Sequence, residues 1–496
     1  MGLSLSLRVV AVAAVALAAS ACAVGPNFQR PTPPKDADYG NAPAKGATAT
    51  ASGSGGNAQE FIGGMDIPGQ WWELFESPKL SALIDQALHG NPNIDAAHAA
   101  LRQAHDLYKA QRATLFSPTV QGSFSASRAK NPVETLANPT SLAQENPYYN
   151  LFTAQLDLSY MPDVFGGSRR ALEASRAQVE ATRFELIATY VTLSSNVVNI
   201  AVQEASLRGQ IAATDRLLAL QHQLTDTVQR QQSIGTASTA DLLQQQAAEA
   251  QTAATLPPLQ KQLGQTRDAL TALLGRLPAA EPAETFRLEE LTLPQKLPVS
   301  LPSKVIQQRP DVRQAEENLH SASAEVGVAL AQMLPQFTIS ANTGSAALEI
   351  GKLFGPYTGF WTLGASLTQT LFDAGALLYR HRAAEDALDQ AAAQYRATVI
   401  LACQNVADTL RALQADADAL KANAEAARAA KASFELVRQQ YLNGSVSLVA
   451  LLNAEQTYQQ AEIALVQAQA NRYSDTAGLF QALGGGWWNL PEATFR

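Results

Sequence analysis

Residues 376–443 read ALLYRHRAAEDALDQAAAQYRATVILACQNVADTLRALQADADALKANAEAARAAKASFELVRQQYLN. The run holds neither glycine nor proline, and Val399, Val406, Leu413, Leu420, Ala427, Phe434 and Tyr441 fall seven apart along it. A sustained seven-residue apolar repeat lets a helix lie lengthwise against a second helix in a supercoil. At about 1.5 Å per residue such a helix would approach roughly 100 Å. Asn443-Gly444-Ser445 breaks the run, and a helical pattern returns from Leu448 to Leu483. A very long helical hairpin over 376–483 is expected.

The hairpin has a twin. Ser168 to Ser233 contains one glycine, Gly209, and no proline, with Leu172, Val179, Leu186, Leu193, Ile200 and Leu207 again seven apart. Ile234-Gly235-Thr236 breaks it, and Ser238 to Gly275 returns, giving a hairpin over 168–275. The turns register at 444 − 235 = 209 and the ends at 484 − 275 = 209. Self-similarity at one offset marks an internal duplication.

Composition narrows the class. Charged residues make up 16% of the 496, and no internal run of about 20 apolar residues offers a membrane-spanning helix. A net charge of −8 without Lys/Arg clusters argues against nucleic acid. Cys22 and Cys403 are the two cysteines. If Cys22 is modified, no intrachain disulfide can form; Cys403, inside the long helix, reads as a small buried apolar residue.

Residues 1–21 carry Arg8, an apolar stretch Val9–Ala19 and then small residues, the pattern of a signal peptide. Ala19-Ser20-Ala21-Cys22 resembles a bacterial lipobox with Ala19 where leucine is usual, so Cys22 is the expected lipidation site; ordinary cleavage near Ala21 is the alternative. Residues 22–76 read as a lipidated, extended Pro/Gly-rich segment and linker. Helices are expected over Ser77–His89 and Pro92–Leu115 in the first repeat (77–275), and over Leu301–Gln307 and Pro310–Met333 in the second (301–483). Residues 276–300 read as a linker between the repeats, and 484–496 as a tail.

Each repeat then switches to a period of two. Apolar and polar residues alternate over about 119–127 and 151–160, and again over about 337–343 and 360–371. A Pro/Asn-rich loop, Arg128 to Tyr149, joins the first pair. One apolar and one polar face is the signature of a membrane β-barrel strand, and also of a soluble sheet capped by helices. Four strands cannot close a barrel, and an open edge in lipid leaves backbone groups unpaired. Membrane entry therefore requires oligomers, and three copies give twelve strands with room for a lumen.

Gln308-Arg309-Pro310-Asp311-Val312-Arg313-Gln314-Ala315-Glu316, with Gly327 and Leu334-Pro335-Gln336-Phe337, resembles the central signature of the TolC-like outer-membrane factors. Cys22-Ala23-Val24-Gly25-Pro26-Asn27, Arg30-Pro31, Trp71-Trp72 and Leu483-Gly484-Gly485-Gly486-Trp487 resemble the lipoprotein, NodT-type branch that serves efflux pumps. The resemblance spans essentially the whole mature chain. It implies a mainly α fold with a membrane β-barrel portion. Long helical hairpins would form a trimeric α-barrel tunnel, and four strands per protomer a twelve-stranded barrel. It implies a homotrimer, lipid-anchored in the outer membrane of a Gram-negative cell. That trimer would carry small toxic compounds from an inner-membrane RND-type transporter and a periplasmic adaptor, without cofactor.

The resemblance also places a gate at the hairpin turns. Asp241 falls where the family often has an aspartate, and Tyr441 matches a tyrosine before the second turn. Ala450 and Asn453 stand where aspartates are frequent, so charge at a constriction would be reduced. Asp241 reads equally as a helix N-terminal carboxylate, and Tyr441 as heptad packing. Gly235, Thr236, Gly444 and Ser445 form the tip turns, where the family's adaptor docks.

No enzyme motif appears. The six histidines show no metal-ligand spacing, and phosphate-loop, dinucleotide and serine-elbow patterns are missing. No metal or cofactor is expected. A protein-secretion exit duct and a pore-less helical scaffold lipoprotein are the rival functions.

Overall fold

Helices dominate the computed structural model, which describes residues 23–32, 39–40, 46–130 and 148–495. Cys22, the signal peptide and loop residues 131–147 lie outside the described residues. In chain order the elements are β1 Gly46–Ala47, β2 Glu60–Gly63, α1 Pro78–Gly90, α2 Pro92–Phe116, β3 Thr119–Lys130, β4 Tyr148–Tyr160, α3 Gly167–Ser233, α4 Thr239–Ala253 and α5 Leu256–Leu273. They continue as β5 Lys296–Val299, α6 Pro302–Gln308, α7 Pro310–Gln332, β6 Gln336–Ala347, β7 Gly359–Thr368, α8 Ala376–Leu442 and α9 Leu448–Ala482.

The duplication is literal in the long helices. α3 and α8 are each 67 residues, and 376 − 167 and 442 − 233 both equal 209. The heptad seam of α8 is buried: Val406, Leu413 and Leu420 are fully enclosed, and Ala427 and Phe434 nearly so. Val179, Leu186, Leu193 and Leu207 are buried on α3, while Leu172 and Ile200 are half-buried. Leu413→Ala should destabilise the fold by about 2–5 kcal/mol, through lost transfer energy and the cavity left behind. Denaturant unfolding followed by circular dichroism reads this loss. Among the described residues one helix, α3, is long and apolar enough by composition to cross a membrane. Its Val191, Val197, Val198, Ala201 and Val202 are buried, the pattern of a core helix. Cys403 is half-buried rather than buried.

The returning arm of the first hairpin is not one helix over 238–275. α4 stops at Ala253 and α5 begins at Leu256, because Pro257 and Pro258 lack the N–H groups that a continuous helix would donate. The second return, α9, is unbroken.

β3, β4, β6 and β7 form an antiparallel sheet in that order, and among the described residues β3 and β7 are its open edges. The register pairs Val120 with Leu158, Phe124 with Ala154, Leu158 with Ala341, Ala341 with Leu363 and Phe337 with Leu367, so the apolar residues share one face. Gln121, Asp157, Asn342 and Thr362 lie across the other. On the apolar face Val120, Phe124, Leu156, Trp361, Leu363 and Leu367 are exposed. The strands depart from the expected bounds. β6 runs on to Ala347 because Gly344 lets β4 approach; a Cβ there would meet Ala154 O at 2.3 Å. β7 ends at Thr368 rather than 371, since its last partner is Gln336 and the preceding Pro335 has no N–H.

The described residues of the segments read as linkers include regular structure. β1, β2 and β5 form a three-stranded sheet, β2 pairing parallel with β5 from Glu60↔Lys296 to Gly63↔Val299. Its anchor is Arg472 on α9, fully buried. The guanidinium donates to Thr48 Oγ1 at 3.1 Å, Gln59 Oε1 at 2.7 Å and Asn57 O at 3.3 Å. A buried charge needs such acceptors, and the Gly-rich segment supplies them. Phe286, Leu288, Leu291 and Leu297 of the inter-repeat stretch are buried, and Tyr473 donates to Leu291 O at 2.9 Å. The tail is packed too: Trp487 Nε1 donates to Gln308 O at 2.7 Å.

The described residues divide into two units, one drawn from 23–30, 102–181 and 316–394, the other from 31–101, 182–315 and 395–495. In the first, Val24 N donates to Phe165 O at 3.0 Å, and Arg170 donates to Val24 O at 3.1 Å and Asn27 Oδ1 at 2.7 Å. Gly25 lies so close to Gly327 that a Cβ would sit 2.4 Å from its Cα. The second holds the heptad seams and the turns.

Candidate functional site at the hairpin turns

Both turns close in the same way. After α3, Gly235 takes φ +79°, its N–H donating to Gln232 O at 3.0 Å while Thr236 N–H donates to Gln231 O at 2.9 Å. After α8, Gly444 takes φ +73°, with Gly444 N–H to Tyr441 O at 2.9 Å and Ser445 N–H to Gln440 O at 2.8 Å. This paired capping satisfies terminal carbonyls and needs a left-handed residue, hence glycine. Thr236 Oγ1 adds a bond to Gln231 O at 3.0 Å.

The returns differ. Ser238 caps α4 and forms a full capping box: its Oγ accepts from Asp241 N at 3.1 Å, and Asp241 Oδ2 accepts from Ser238 N at 3.0 Å. Ser447 caps α9 by accepting from Ala450 N at 3.3 Å, and Ala450 cannot complete a box. The Ser238 hydroxyl, then its N–H, hold the Asp241 carboxyl below its ordinary value. Ser238→Ala should cost α4 about 1 kcal/mol and raise hydrogen exchange over 239–253, with α9 unchanged.

Tyr441 is half-buried beside a cluster of Leu224, Val228, Phe434, Leu448 and Leu451, and its hydroxyl donates to Gln231 Oε1 at 3.3 Å. Burial, then the nearby Asp241 charge, push the phenol up. Asp241 and Tyr441 are thus neighbours at the turns. Asn453 is exposed and lines a cavity of about 400 Å³ with Gln221, Gln244, Thr252 and Glu455, a wall that excludes Asp241 and Tyr441.

Glu455 escaped the sequence reading. It is 2% exposed, and neither carboxyl oxygen has a hydrogen-bond partner. The signal was present: Leu448, Leu451 and Glu455 fall at i, i+3 and i+7, which puts the acid on the apolar face. Among the described residues no group of three or more His, Cys, Asp and Glu is placed to hold a metal.

The signature residues are scaffold. Arg309 grips Asp311 with both arms, at 3.0 and 2.6 Å, and donates to Ala482 O at 3.0 Å, so it caps the C-terminus of α9. Gln336 Nε2 donates to Ala331 O and Leu334 O at the end of α7.

A family model described as outer membrane efflux protein matches residues 83–276 and 301–485. The pyoverdine export outer membrane protein OpmQ of Pseudomonas putida is 28% identical over 424 residues, 85% of this chain and 89% of the relative. The cation efflux system protein CusC of Escherichia coli is 26% identical over 420 residues, 84% of this chain and 88% of the relative. Among solved structures, the outer-membrane channel OprN superposes with a TM-score of 0.82 at 26% identity, covering 94% of this chain and all of that one (100%). The open state of the Neisseria gonorrhoeae MtrE outer membrane channel gives 0.79 at 26%, covering 94% and 99%. The fold is TolC-like and the relatives are outer-membrane components of efflux systems. The chain belongs to the outer membrane efflux protein family.

Proposed function

We propose that three copies of this chain close one twelve-stranded barrel and form the outer-membrane duct of a tripartite efflux assembly. The duct is lipid-anchored at Cys22 and passes small toxic compounds. One observation carries the reading: a four-stranded sheet with an exposed apolar face and, among the described residues, two unpaired edges. In lipid those edges must be paired, and symmetric copies of the same sheet pair them without a new element. The tips at Gly235, Thr236, Gly444 and Ser445 meet a periplasmic adaptor, which couples the duct to an RND-type inner-membrane transporter. Asp241, Tyr441 and Asn453 narrow its periplasmic end. Light scattering of the detergent-purified protein beside conductance in a planar bilayer tests this. A trimer with small discrete conductance supports the duct; a monomer without conductance overturns it.

A further inference from the structure

α9 carries Leu448, Leu451, Glu455 and Tyr458 along one face. The two leucines join Leu224, Val228 and Phe434 in a core, and Glu455 takes the next inward position at 2% exposure. Around it the polar groups are unmatched. Both Glu455 oxygens, Gln221 Oε1 on α3 and Gln245 Oε1 on α4 lack partners, and the two glutamines are 3% and 0% exposed. An ionised carboxylate buried without donors costs far more than the neutral acid.

The charged neighbours do not supply the missing donors. Arg438 on α8 attracts the carboxylate, but makes no ion pair with it and leaves its own Nε unpaired. His222 on α3 and Glu249 on α4 are taken up with each other, Nδ1 to Oε1 at 3.0 Å, and Thr225 donates to the same Glu249. Farther along α9, Glu462 faces Arg216 at 3.9 Å.

We propose that Glu455 is a proton-binding site that clamps α9 against α3 and α4. With the proton on, the carboxyl O–H donates to an amide oxygen of Gln221 or Gln245 and the three helices stay packed. With the proton off, the buried carboxylate keeps only the Gln221 amide and the Arg438 charge in its favour, and the helices part at the cavity. That cavity, about 400 Å³ and lined by Glu455, Gln221, Asn453 and Thr252, is the path by which the proton exchanges with solvent. Burial pushes the Glu455 carboxyl up to about 7, against the Gln221 amide and the Arg438 charge, which pull it down. The clamp therefore changes state near neutral pH. Its consequence for transport rests on the proposed duct, since it lies beside the turns assigned to the constriction.

The sign follows from proton linkage. The folded chain holds this proton more tightly than the unfolded chain, whose value is the ordinary 4.5, so stability falls as pH rises from there to about 7 and is level beyond. Melting of the detergent-purified full chain and of Glu455→Gln, a neutral isostere, is compared from about pH 5 to pH 8.5. The two should melt together at the acid end, with the variant higher by about 2–4 °C at the alkaline end. Wild-type bilayer conductance should rise about twofold or more over the same range, and the variant should stay at the acid value. A flat melting difference overturns the proton site. A melting difference with level conductance overturns its part in gating. No conductance from either protein at any pH counts against the duct alone, and melting still decides the proton site.

Discussion

Leu363→Arg is expected to abolish recovery of assembled protein from the outer membrane. Leu363 lies in β7 opposite Ala341, on the face with Val120, Phe124 and Leu367, and is 69% exposed. Most of the Leu363 side chain already faces away from the protein, so the penalty comes from lipid. An arginine on the lipid face of a barrel costs about 2–4 kcal/mol near the midplane. Three copies in one barrel bring this to roughly 6–12 kcal/mol, the size of a whole domain's stability. Thr362→Arg is the control. Thr362 pairs with Asn342 on the opposite, polar face and should assemble normally. Membrane fractionation followed by native gels reads both; normal assembly of Leu363→Arg would remove the lipid-facing assignment.

The contrast between Leu363 and Thr362 was legible because a strand's period is two and each face meets one solvent. The long helices were legible for a similar reason. Sixty-seven residues give the heptad many chances to repeat, and the 209-residue offset tied one copy to the other. What stayed hidden is short or non-local. β1, β2 and β5 have two to four residues each, too few to show a period, and β2 finds β5 across more than two hundred positions. The Gly53–Gly56 run has the composition of a linker. Yet Gly56 is there because a Cβ would meet Ala51 O at 2.1 Å, and Gly55 because it packs on Tyr473. Composition cannot separate a chain that must be flexible from one that must fit closely. Asp241 shows a further limit. Its capping bonds to Ser238 are purely local, so the same residue at the same spacing serves a cap whether or not it also lines a pore.

Gly444→Trp is expected to leave folded, membrane-inserted protein at its normal level while abolishing efflux. Two observations separate these effects. First, nothing lies within 4 Å of a Cβ built at Gly444, so a large side chain projects into open space. Second, φ of +73° is a left-handed conformation, which costs an ordinary residue about 1–2 kcal/mol, small beside the buried seam of α8. Gly444→Asn pays less of that strain, since asparagine tolerates the left-handed region, and adds little bulk. If the tip serves only to join two helices, both variants should export equally. If it meets a partner, asparagine should retain transport and tryptophan should lose it, in a strain lacking its own outer-membrane channel and scored by drug susceptibility. Gly235, with the same conformation and the same open surroundings, extends the comparison to the first repeat. Loss at both turns would mean the partner contacts every tip of the trimer. Loss at one alone would mean that the two repeats, whose long helices α3 and α8 are equal in length, have divided the docking between them. Full export by Gly444→Trp and Gly235→Trp at normal protein levels would mean that the turns contact no partner.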